Sequence, residues 1–141
     1  AVQPNFQEVL KRYDGKVRLV HKDLPLDEIH PQARQAAEAA RCAGDEGKFW
    51  EYHDKLYASS PKAAAEDLRF YAEDLGLKQD SFDKCLTSGK YKAAIQKDMN
   101  EAASLGLTGT PTFFINGREL SGAQSVEAIS QIIDEELSRA D

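Results

Sequence analysis

The chain has 141 residues, enough for one domain that buries roughly 70% of its unfolded surface without staples. Its 18 basic and 24 acidic residues give a net charge of −6, spread along the sequence, which repels phosphate backbones and argues against nucleic acid as a partner. No apolar run approaches the ~18–20 residues that span a bilayer. His21, His30 and His53 are scattered, and with only two cysteines no metal site or other cofactor is expected.

In chain order, apolar residues at Val2, Phe6, Val9, Leu10 and Tyr13 predict an opening helix that tolerates Pro4 in its first turn and stops at Asp14-Gly15. "KVRLVHKDLP" predicts a strand at Val17–Val20, with His21 as a packed or hydrogen-bonded strand-end residue. Everything from Pro31 to Leu105 reads as helical. The first of these helices has Pro31 in its first turn, an alanine stripe at Ala33, Ala36, Ala37 and Ala40, and Gly44 as its stop. "GKFWEYHDKLY" turns Phe49, Trp50, His53, Leu56 and Tyr57 to one face, with His53 as a core histidine. Ser60-Pro61 starts the next helix, which buries Leu68, Tyr71, Ala72 and Leu75 and stops at Gly76. Asp80 or Ser81 caps a short helix carrying Phe82 and Leu86. The last of the block buries Tyr91, Ala94, Ile95, Met99, Ala102 and Leu105, and the charged faces are expected to be solvated.

After Gly106 the pattern changes. "TFFI", Asn116-Gly117 and "REL" predict a hairpin with a type I′ turn. A final helix follows, with Ser125 as its cap or in its first turn and Val126, Ile129, Ile132, Ile133 and Leu137 inward. The three strands can share one mixed sheet beneath the helical block, an α/β arrangement. A helix–strand start is odd for that class, because a βαβ unit begins with a strand. Read from the residues alone, Pro111 is a trans proline opening an edge strand. Cys42 lies in the last turn of a helix and Cys85 in mid-helix, and neither place activates a thiol. They are either two buried thiols or one structural disulfide.

"GLTGTPTFFINGRELSGAQ", "KDLPL…HPQARQAAEAARCAGDEGKFWEYHDKLY" and "FDKCLTSGKYKAAIQKDMNEAASLGLTGTPT" together resemble DsbA-like thioredoxin-fold disulfide oxidoreductases over nearly the whole chain. The resemblance implies a thioredoxin-like core at 1–30 and 107–141 and an all-helical insertion at 31–106, in one domain. It implies that the first strand and its Cys-X-X-Cys motif lie ahead of Ala1, leaving no catalytic residue within these 141. It makes Pro111 cis, with Gly109, Thr110, Pro111 and Thr112 as the substrate-binding loop, and it favours a Cys42–Cys85 bridge. The implied activity is formation or isomerisation of disulfides in cysteine-containing proteins, in an extracytoplasmic compartment, with a membrane redox partner. The alternative is a thioredoxin-fold binding or chaperone-like module without redox chemistry. Sheet edges left bare by the absent strand would invite strand complementation or oligomerisation.

Overall fold

The computed structural model describes residues 3–59 and 62–140. Its elements in order are α1 (Gln3–Arg12), α2 (Ala33–Gly44), α3 (Phe49–Ser59), α4 (Ala65–Asp74), α5 (Gln79–Ser88), α6 (Lys92–Ser104), β1 (Thr112–Ile115), β2 (Arg118–Ser121) and α7 (Val126–Ala140). They divide between two compact units, Ala1–His21 with Gly106–Asp141, and Lys22–Leu105.

In the first unit β1 and β2 pair antiparallel, with Phe113 opposite Leu120 and Ile115 opposite Arg118. The turn between them works because Asn116 and Gly117 both take positive φ, +50° and +85°, as a type I′ turn requires. The inner face of the hairpin meets α7, and α7 packs on α1. Val9, Tyr13, Ile129 and Ile133 form the buried centre, with Val17, Ile115, Leu120, Val126 and Leu137 packed around it. The Ser125 hydroxyl accepts the N–H of Ala128 at 3.1 Å and so caps α7. Val2 lies outside the described residues.

The expected strand at Val17–Val20 is not formed. Exposure alternates there as on a pleated surface, with Val17, Leu19 and His21 half-buried and Arg18 and Val20 exposed. A strand needs a ladder partner as well as a pattern, and among the described residues the only ladder joins β1 to β2. The expected three-stranded mixed sheet is therefore a two-stranded hairpin.

The second unit is built around α2, which packs against α3, α4, α5 and α6. Small residues permit this crowding: Ala39 and Ala43 are fully buried and Ala40 nearly so. The inward stripe is thus Ala36, Ala39, Ala40 and Ala43, rotated from the expected one. Tyr52, Leu68, Tyr71, Ala72, Leu77 and Phe82 complete the core. The Tyr52 hydroxyl donates to the carbonyl of Leu68 at 2.8 Å, and burial pushes its pKa far above the usual phenol value.

Helix boundaries depart from expectation where backbone chemistry decides them. Helix α2 starts at Ala33, beyond Pro31, and Gly44 is its last residue. The stop is Gly47, at φ +73°, where the Lys48 N–H reaches the Ala43 carbonyl at 3.0 Å in a Schellman closure. Ser60 and Pro61 fall outside the described residues, and α4 is instead started by the Asp67 carboxylate, which accepts the Ala64 N–H at 3.1 Å. The N-cap of α5 is Lys78, which leaves Asp80 within the first turn. Trp50, Tyr57 and Leu105, expected inward, are largely exposed, and Tyr52 takes the buried place on α3. His53 is buried, with its Nδ1 3.1 Å from Asp54 Oδ1 and its ring against Phe49, Trp50 and Tyr57.

Candidate functional site

The loop ahead of β1 is tied down by its own backbone. The Thr112 hydroxyl donates to the Gly109 carbonyl, and the Gly122 N–H donates to the Pro111 carbonyl, each at 2.8 Å. The Thr110–Pro111 peptide bond is cis. Thr110 is exposed and Pro111 half-buried. One residue past Thr112, Phe113 stacks on Phe6 with ring centroids 5.1 Å apart, and the Asn5 amide donates to the Gln124 carbonyl at 3.1 Å. The structure thus holds Gly109, Thr110, Pro111 and Thr112 in one tied loop, and the strand that follows it meets α1 through Phe113 and Phe6. The opening turn of a helix carries unpaired N–H groups and a positive partial charge, which favours an anion such as a thiolate.

Cys42 and Cys85 do not belong to this loop. They form a disulfide within the second unit, spanning 43 positions with Cα atoms 5.8 Å apart. It ties the last turn of α2 to α5, and it takes up both cysteines of the chain.

Sequence reading missed two charged clusters in the second unit. Arg41 Nε donates to Asp23 Oδ2 at 2.7 Å and Arg41 Nη2 to Asp98 Oδ2 at 2.6 Å, while the Asp23 N–H donates to Asp98 Oδ2 at 2.9 Å. Both carboxylates are buried. A signal was there for Asp98, which falls between Ile95 and Ala102 on the apolar stripe of α6. In the second cluster the Asp45 carboxylate accepts Lys90 Nζ at 2.8 Å and the hydroxyl of Tyr91. Burial works to raise the Asp45 pKa, but the bonds from Lys90 and Tyr91 outweigh it and hold the carboxyl below its ordinary range. Among the described residues no group of three or more His, Cys, Asp or Glu is placed to hold a metal ion, and no helix is long and apolar enough to cross a membrane.

Residues 1–135 match the sequence family described as Thioredoxin. Among curated proteins, "Na(+)/H(+) antiporter NhaA 1" of Salinispora arenicola is 40% identical over 131 residues, 93% of this chain and 20% of that protein. "Na(+)/H(+) antiporter NhaA" of Nitrosospira multiformis is 32% identical over 127 residues, again 20% of its length. The chain spans about a fifth of the length of these curated relatives. Among solved structures, a thioredoxin-like oxidoreductase from Silicibacter pomeroyi superposes with TM-score 0.86 at 25% identity, over 97% of this chain and 78% of that one. The thiol-disulfide exchange protein alpha-DsbA2 from Wolbachia pipientis gives TM-score 0.84 at 20% identity, over 95% and 72%, a likeness of fold.

Proposed function

Because the chain belongs to the thioredoxin family and carries a DsbA-type fold, we propose that it supplies the proline-loop side of a thiol–disulfide exchange site for cysteine-containing proteins. The observation that carries this reading is the tied Gly109–Thr112 loop with its cis Thr110–Pro111 bond, leading into a strand whose Phe113 stacks on Phe6 of α1. We place the reactive cysteine pair ahead of Ala1, at the helix end where the dipole favours a thiolate. A substrate thiolate attacks the oxidised pair, one cysteine of the pair leaves as a thiolate, and a mixed disulfide forms. A second substrate thiolate then breaks the mixed disulfide, so the substrate gains one disulfide and the pair ends as two thiols. Thr110, exposed beside Pro111, offers its backbone to an extended substrate segment, in the manner of β-augmentation.

The Cys42–Cys85 bridge supports an oxidising, extracytoplasmic compartment. The relatives named as antiporters support a setting beside a membrane protein, which would also suit a membrane redox partner. Each strand of the hairpin is paired on one side, which suits completion of the sheet by a further strand or a second copy. A second reading, a binding module without redox chemistry, is favoured by one observation: both cysteines of these 141 residues are already joined.

Two measurements on the natural protein decide. Its intact mass and N-terminal sequence should reveal a Cys-X-X-Cys ahead of Ala1, and lack of one selects the binding module. The oxidised natural protein should introduce disulfides into a reduced, unfolded test protein faster than buffer alone. Failure to exchange overturns the oxidoreductase reading.

A further inference from the structure

The two sulfurs of the bridge differ in their surroundings. Cys42 is 2% exposed and sits near the carbonyl end of α2, whereas Cys85 is only partly buried at the edge of the core. Cys85 Sγ lies 3.7 Å from Asp45 Oδ2, and that carboxylate is anchored by Lys90 and Tyr91. Its lowered pKa keeps it ionised throughout the range in which thiols react. We infer that Asp45 is an electrostatic guard on the Cys42–Cys85 bridge: external thiolates reach the bridge only at Cys85 Sγ, and the carboxylate there selectively slows anionic attackers.

The reaction being resisted balances as follows. An external thiolate attacks Cys85 Sγ, the Cys42–Cys85 bond breaks, and a new S–S bond joins Cys85 to the attacker. Cys42 departs as a thiolate and takes a proton from solvent. A second equivalent of thiol then releases Cys85, so two small thiols become one disulfide while the bridge becomes two thiols. The transition state carries negative charge along three sulfurs, which a fixed carboxylate next to the central one opposes for any thiolate. The selectivity comes from the attacker's second charge, which an ammonium sets against the carboxylate and a sulfonate adds to it. The departing Cys42 thiolate is disfavoured as well, by burial and by the dipole of α2. Lys90 binds the same Asp45 oxygen and so weakens the guard.

The test is made on the full chain under native conditions, with cysteamine as a cationic thiol and 2-mercaptoethanesulfonate as an anionic one. Peptide mass mapping follows Cys42 and Cys85 separately from any other cysteines. Asp45→Asn is expected to lower the cationic-to-anionic rate ratio about fivefold, the effect of one charge at contact range in a water-like dielectric. Lys90→Gln, at an exposed position, is expected to raise the ratio, and it carries the test even if Asp45→Asn folds poorly. The first mixed disulfide should appear on Cys85. An unchanged ratio in Lys90→Gln, equal acceleration of both thiols in Asp45→Asn, or a first adduct on Cys42 would each overturn the inference. The guard stands on the bridge alone, so failure of exchange at the Pro111 loop leaves it intact, and the reverse also holds.

Discussion

Arg41 is a residue whose weight depends entirely on its neighbours. In sequence it is one more charge on an alanine-rich helix. In the folded chain it lies between Asp23 and Asp98, whose side chains are 6% and 8% exposed. Removing the guanidinium that bridges two buried carboxylates strips both of a charged partner, even though Lys22 Nζ stays 4.0 Å from Asp98 Oδ1. Breaking a buried pair in this way costs more than the pair contributes relative to an apolar replacement. Arg41→Ala is therefore expected to destabilise by about 3–5 kcal/mol, measured by urea denaturation. A loss below about 1 kcal/mol, typical of a surface ion pair, would show that water or Lys22 compensates the carboxylates without Arg41. Asp98 was the readable part of this cluster, because a charge on an apolar stripe needs a partner. Asp23 and Arg41 carried no such mark, since pairing across 57 positions, as between Arg41 and Asp98, leaves no local pattern.

At the scale of elements, periodicity and turn chemistry carried most of the information. The hairpin was legible because Asn116-Gly117 suits one turn type, and α7 because its isoleucines recur at helical spacing. Val17–Val20 had the pattern of a strand without the partner that makes one. The link between α2 and α5 belongs to this scale too. Closing a loop of 43 positions restricts the unfolded chain, a stabilisation of about 4 kcal/mol by the chain-entropy argument. The double substitution Cys42→Ala with Cys85→Ala should lower unfolding free energy by about that amount. It should also remove the gel-mobility difference between reduced and oxidised chain. A double variant as stable as the parent would mean that packing around Phe82 and Tyr52 holds α2 to α5 unaided.

At the scale of the whole molecule, the chain separates into one unit made of its two flanks and another made of its middle. The middle unit has its own core from Ala39 to Phe82, its own disulfide and its own buried ion cluster. A fragment Lys22–Leu105 is therefore expected to fold alone, with helical circular dichroism, cooperative unfolding and an intact bridge. Non-cooperative melting of the oxidised fragment would show that the flanks are needed for its core. The flanking unit is the part that carries the Pro111 loop.

By itself the sequence determined the helical elements, the hairpin and the family likeness, because these are written in spacing, turn residues and runs of matched motif. Tertiary structure alone decided which charges are buried, which face of α2 and α3 turns inward, and that Val17–Val20 joins no ladder among the described residues. It also decided that Asp45 stands beside Cys85. Those outcomes depend on contacts between positions tens of residues apart, where the energy lies in the environment each side chain meets rather than in its own identity.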